Sequence, residues 1–258
     1  MHLSYMHYGT AGPLVVILHG MLGSGRNWHT VARRLESNFQ VLTPDLRNHG
    51  KSPHGEHTFD AICDDIAELI DDLGWERFHL VGHSMGGAAA MKFAFQYPDW
   101  LHSLTVVDIT PSSRPGSMAP ILEAMINIDL EKISSKEDVG EELGRSISSP
   151  LVRQFLLTNL RMIKQGVYKW QCNLEELYDF VRDESRLQLN LDGQFGGKTL
   201  FIGGENSEYR IDKQKSAITE HFSNVDIRLI SGAGHWVHSD APDAFLTTLT
   251  PFLSQTIA

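Results

Sequence analysis

The 258-residue chain has only two cysteines, Cys63 and Cys172, far apart and outside any CxxC or His/Cys metal spacing. That excludes a disulfide framework and a zinc ribbon, and two buried thiols in a reducing compartment are expected. No HExxH pair accompanies the 13 histidines, so neither a metal site nor a cofactor is expected. No apolar run approaches the roughly 18 residues that a membrane-crossing helix needs. No basic stretch leads into an apolar one near Met1, where Met1-His2-Leu3-Ser4-Tyr5 runs into an edge strand. A soluble, cytoplasmic chain without membrane insertion is the expectation. Positive charge is also scarce: 22 Lys and Arg against 32 Asp and Glu leave a net charge of −10. Such a surface repels phosphate backbones and anionic lipid, which argues against nucleic acid as a partner. It also steers no anionic substrate from a distance, although a local patch could still attract one. There is no internal repeat and no low-complexity tail.

What is present suits one core, or one core with an insertion, since 258 residues are a tight fit for two independent domains. Leu14-Val15-Val16-Ile17-Leu18 is a continuous apolar run, the pattern of a strand buried on both faces. Strands are predicted likewise at 39–42, 78–81, 104–107, 199–202 and 225–230. Helices are predicted at 27–36, 59–73, 84–97 and 242–253, the second closed by Gly74. Strand and helix alternating at this pace imply right-handed crossovers and a mostly parallel sheet flanked by helices. Between Pro111 and Arg186 the rhythm changes. Pro111, Pro115, Gly116 and Pro120 punctuate the entry, and helices are predicted at 118–127, 136–147, 150–165 and 173–183 with no buried strand. The expected layout is an α/β core of residues 1–112 and 186–258 interrupted by a helical cap at 113–185.

Gly82-His83-Ser84-Met85-Gly86 follows a buried strand and opens a helix rich in small residues. In that context G-x-S-x-G makes a sharp turn that exposes the serine hydroxyl and allows no bulk two residues either side. Ser84 is the candidate nucleophile. The backbone NH of Met85, at a helix N-terminus, is a candidate oxyanion donor. Serine needs a base, and His235 in Gly232-Ala233-Gly234-His235-Trp236, on the loop after the last strand, is the candidate. His19 and His83 are expected to pack or hydrogen-bond beneath the site, and His49 and His54 to sit in a polar loop. A second oxyanion amide should come from the loop Leu18-His19-Gly20-Met21-Leu22-Gly23-Ser24, with Met21 preferred over Leu22.

Together these residues resemble the α/β-hydrolase superfamily over nearly the whole chain. Asp45-Leu46-Arg47-Asn48-His49-Gly50-Lys51-Ser52 matches its D-x-R-G-x-G-x-S loop, with Asn48 in place of the usual glycine. The Arg-Asn-His-Gly variant, with His-Gly-Met-Leu-Gly-Ser and Gly-His-Ser-Met-Gly-Gly, is similar to the YbfF-type esterase branch and to mitochondrial abhydrolase-domain proteins. The resemblance implies hydrolysis of carboxylic esters through an acyl-serine, with acyl groups that fit beneath a helical cap.

The superfamily's acid usually follows the penultimate strand as Gly-x-x-Asp, but here Phe201-Ile202-Gly203-Gly204-Glu205-Asn206-Ser207 places a serine there. A hydroxyl cannot stabilise an imidazolium, so another carboxylate must do so. Asp108, at the end of the strand after the nucleophile helix, is the preferred candidate; some lipases place their acid at this topological position. Glu205 is the alternative. Leu22, Trp28, Trp170 and Trp236 are candidate pocket walls. Lys169 and Arg161 could meet an anionic leaving group such as coenzyme A, so small to medium acyl esters and thioesters are both open. A C–C bond hydrolase on the same scaffold, or a catalytically silent receptor, are the alternatives. A carboxylate where Ser84 stands would be needed for a haloalkane dehalogenase or an epoxide hydrolase.

Overall fold

The computed structural model describes residues 1–113 and 118–255. Its first half alternates strand and helix: β1 (Tyr5–Tyr8), β2 (Leu14–Leu18), α1 (His29–Leu35), β3 (Gln40–Pro44), α2 (Phe59–Asp72), β4 (Phe78–His83), α3 (Met85–Gln96) and β5 (Leu101–Val107). Then come α4 (Ala119–Ile126), α5 (Lys136–Gly144), α6 (Pro150–Leu156), the strand pair β6 (Leu160–Lys164) and β7 (Val167–Trp170), and α7 (Leu174–Arg182). The alternation resumes with β8 (Thr199–Gly204), α8 (Lys215–His221), β9 (Val225–Ile230), α9 (Val237–Asp240) and α10 (Pro242–Ser254). No helix among the described residues is long and apolar enough to cross a membrane.

The central sheet has the order β1-β3-β2-β4-β5-β8-β9 and is parallel except for β1, which runs antiparallel to β3. Strand β2 shows why the apolar run predicts this. All five residues are fully buried, with Leu14, Val16 and Leu18 in the core on one face and Val15 and Ile17 in the core on the other. Each such side chain contributes about 1.5–3 kcal/mol relative to exposure. Helices α2 and α3 cover the first face through Ile62, Ile66, Ala89 and Phe93. Helices α1 and α10 cover the second through Val31, Leu35, Phe245 and Leu249. Because the strands run parallel, the loops after β2, β4, β5, β8 and β9 gather at one edge of the sheet, where an open α/β sheet builds its site.

The segment between β5 and β8 differs from expectation in one place. The helix predicted over 150–165 stops at Leu156, and a hairpin replaces its second half. Helical spacing at Leu151, Val152, Phe155 and Leu156 continues at Leu160 and Ile163, yet the helix ends at Leu156. The Thr158 hydroxyl donates to the Phe155 carbonyl, and the Asn159 amide donates to Leu22 O across the core. Gly166, at φ 72°, then closes a turn that the strand residues around it could not make. Pro115 and Gly116, expected to punctuate the entry to this segment, lie outside the described residues.

Candidate active site

Ser84 sits between β4 and α3 with φ 53° and ψ −120°, a conformation held by the surrounding backbone. Its NH donates to Val107 O on β5 at 3.0 Å, and its carbonyl accepts from Ala88 N at 2.9 Å. The two flanking glycines are required by close approach. A Cβ on Gly82 would lie 2.2 Å from Gly86 O, and one on Gly86 would lie 2.5 Å from His19 O. The turn therefore presses the helix start onto the loop after β2, which brings Met21 and Met85 to one cavity with Ser84.

Two backbone amides remain unpaired there. Met85 is the first residue of α3 and has no helical acceptor. Met21 NH has no acceptor within the chain among the described residues, whereas Leu22 NH donates to His49 Nε2 at 3.1 Å and Gly23 NH to Gly20 O. His49 is thus fully buried rather than in an open polar loop, and burial lowers its pKa to about 3. His19 is fixed in the same manner: it accepts from Leu46 NH at 2.9 Å and donates to Gly20 O, with burial lowering its pKa to about 4. Both act as neutral braces that shape the loop after β2.

Asp108 follows β5 with φ 54° and is fully buried. Its Oδ1 accepts from Gly204 NH at 3.0 Å; its Oδ2 accepts from the Ser207 hydroxyl and lies 2.7 Å from His235 Nδ1. With Nδ1 turned to the carboxylate, Nε2 is the nitrogen left for the cavity that His235 and Ser84 share. His83 Nε2 donates to the backbone carbonyl of His235 at 2.8 Å, so a third buried neutral imidazole anchors the loop after β9. Glu205 lies elsewhere. It is exposed, and its carboxylate accepts from Ser231 Oγ at 2.7 Å and Gly232 NH at 3.2 Å, contacts that hold it below the usual glutamate range.

The cavity has a volume of about 630 Å³ and opens between the core and the segment after β5. Met118, Ile121, Val152 and Phe155 supply apolar wall from that segment, and Trp236 and Tyr209 from the core. An apolar cavity of this size with a few convergent polar groups suits a small organic substrate.

The family model described as the alpha/beta hydrolase fold matches residues 13–131. The sn-1-specific diacylglycerol lipase ABHD11 of Danio rerio is 36% identical over 95% of this chain and 79% of its own. Esterase YbfF of Escherichia coli (strain K12) is 28% identical over 93% of this chain and 92% of its own. Among solved structures, a marine microorganism esterase superposes with a TM-score of 0.92 at 32% identity, covering 98% of this chain and 99% of that one. The chain belongs to the α/β-hydrolase family. It is a hydrolase of the serine type.

Of the candidate pocket residues, this hydrolase brings Trp236 and Trp28 to the cavity, although Trp28 is fully buried and stacks at 4.0 Å on His238. Two others are not at the cavity. Leu22 is fully buried in the core, and Trp170 pairs with Leu160 in the hairpin and packs half-buried against the core. Lys169 and Arg161 are on that hairpin too and do not line the cavity. Cys63 and Cys172 are free, buried thiols, the second pushed up to about 12 by burial. Sequence reasoning missed Tyr209. Its ring stacks on His235 with centroids 4.7 Å apart, and it lines the same cavity as Ser84. Burial raises the Tyr209 pKa, and the nearby Ser84 hydroxyl opposes the rise. No motif marks this tyrosine; only its place two residues after Ser207, on the loop after β8, could have pointed to it.

Proposed function

We propose that this hydrolase cleaves carboxylic esters through an acyl-Ser84 intermediate. The observation that carries the reading is the shared cavity, bordered by Ser84 on its strained turn, by His235 held 2.7 Å from the buried Asp108, and by the two unpaired amides of Met21 and Met85. The names of its relatives, a diacylglycerol lipase and an esterase, support the same class of bond.

In this mechanism the Ser84 hydroxyl attacks the ester carbonyl carbon while His235 Nε2 takes its proton. Asp108 accepts the hydrogen bond from Nδ1–H and stabilises the imidazolium without itself becoming protonated. The carbonyl oxygen becomes an oxyanion and receives hydrogen bonds from the Met21 and Met85 amides, a contribution worth about 2.7–4 kcal/mol per donor in comparable sites. The C–O bond then breaks, and the departing alkoxide takes the proton from Nε2. Water, deprotonated by the same nitrogen, releases the acid and restores Ser84.

The apolar wall favours acyl chains of small to medium size, with residues 113–185 acting as the cap over the core. Thioesters would use the same steps. A coenzyme A leaving group is not favoured, because Arg161 and Lys169 lie off the cavity wall. A silent receptor would have no need of two unpaired amides beside a paired histidine.

The test is turnover of p-nitrophenyl butyrate by wild type and Ser84→Ala. The variant should lose at least about 10³-fold in kcat. Turnover equal to wild type would remove Ser84 from the chemistry.

A further inference from the structure

Among the described residues the β6–β7 hairpin pairs with no other strand, and most of its surface faces water. Leu160 and Trp170 at its base are turned to the core, but Met162 and Ile163 are 62% and 64% exposed. Large apolar side chains so exposed gain little from folding. The charge around them is equally unusual. Arg161 lies directly across from Lys169, and Lys164 follows at the turn. Like charges facing each other across a strand pair are destabilising. Among the described residues none of the three makes an ion pair; the Arg161 Nε partner is the neutral Gln171 side chain at 2.9 Å. Three unpaired cations beside two bare apolar side chains form a local inversion of a chain whose net charge is −10.

The hairpin is also firmly mounted. Asn159 Nδ2 donates to Leu22 O at 2.7 Å, Gln171 NH to Asn159 O at 2.8 Å, and Asn173 NH to Asn48 O at 2.9 Å, so both legs are tied to the core. The residues just before it, Phe155, Leu156 and Thr158, line the cavity, as does Leu151, itself 58% exposed. The projecting tip is thus coupled directly to the wall of the site.

We propose that this hairpin docks the enzyme on an anionic lipid surface. Met162 and Ile163 enter the boundary between headgroups and acyl chains, and Arg161, Lys164 and Lys169 meet lipid phosphates. This is the apolar-plus-basic arrangement by which interfacial elements bind. The net negative charge does not prevent it, because charges beyond about 8 Å are screened at physiological salt while the hairpin cations are at the contact. Resting on the ester-hydrolase reading, the docking would deliver lipid esters from the surface to the cavity.

The test is co-sedimentation of the full chain, carrying Ser84→Ala, with vesicles of phosphatidylglycerol and phosphatidylcholine or of phosphatidylcholine alone. Using the Ser84→Ala form keeps the binding result separate from the chemistry. Binding is expected to the anionic vesicles, weakening as salt rises. Lys164→Glu should weaken it about fivefold or more, from the loss of one cation at the surface. Met162→Ser with Ile163→Ser should weaken it about tenfold or more. With Ser84 intact, both variants should retain wild-type turnover of p-nitrophenyl butyrate, which reports a folded site. Equal binding to both vesicle types, wild-type binding by both variants, or binding to soluble polyglutamate in place of vesicles would each overturn the proposal.

Discussion

Ser207 donates its hydroxyl to the same Asp108 oxygen that holds His235. The residue that stands where the superfamily usually keeps its acid thus donates to the carboxylate proposed to serve in its place. Strands β5 and β8 are neighbours in register, Val107 beside Ile202, so carboxylates from either strand end can converge on one histidine. Ser207 also accepts from Tyr209 NH at 3.2 Å, which links the acid to the tyrosine stacked on His235.

The acid should therefore be movable. Asp108→Asn is expected to lower kcat by up to about 10⁴-fold with KM little changed. Adding Ser207→Asp to that variant should recover at least about tenfold, because the new carboxylate starts within reach of the same ring. Glu205→Gln should stay within about twofold of wild type, its carboxylate being committed to Ser231 and Gly232. Steady-state kinetics on a p-nitrophenyl ester read all three. Near-wild-type activity in Asp108→Asn, or a collapse in Glu205→Gln, would reverse the assignment.

Tyr209 stacks its ring on His235 and lines the cavity that Ser84 shares, and two substitutions separate its ring from its hydroxyl. Tyr209→Phe keeps the stack and should lower kcat only severalfold, roughly the scale of one neutral hydrogen bond. Tyr209→Ala removes the stack as well and should cost at least about tenfold more, since the base loses its packing. Equal kcat values for the two variants would show that the ring does not position the base.

Stability should fall with acid in a particular window. Burial holds His19 near pKa about 4, and His49 and His238 near about 3, against an ordinary value of 6.5. Between those limits the unfolded chain binds protons that the folded chain refuses, so folding stability is lost as pH drops from about 6.5 toward 4. Thermal melts across that range should show a falling Tm. His49→Gln, which takes one refusing group away, should have a shallower slope though a lower Tm near pH 7. A Tm independent of pH through this window would contradict the neutral assignment.

The strands of the core were legible because burial on both faces produces uninterrupted apolar runs, as at Leu14–Leu18. The nucleophile turn was legible because close approach leaves only glycine at 82 and 86. Less was visible where a tertiary contact outweighs local spacing. The helical periodicity through residue 163 gave no sign that Asn159 would be drawn to Leu22 and the chain turned into a hairpin. Leu22 looked like pocket wall because it neighbours Met21, yet its amide is taken by His49 from a distant loop. Tyr209 escaped notice for the same reason, as its stack on His235 in the cavity that Ser84 shares joins strand ends that only the fold brings together.

The most direct measurement is the site of labelling by a fluorophosphonate probe, mapped by mass spectrometry of the digested protein. A single modified peptide with the phosphonate on Ser84 is expected, and none in Ser84→Ala. Labelling at another serine, or no labelling of a folded wild-type chain, would contradict it.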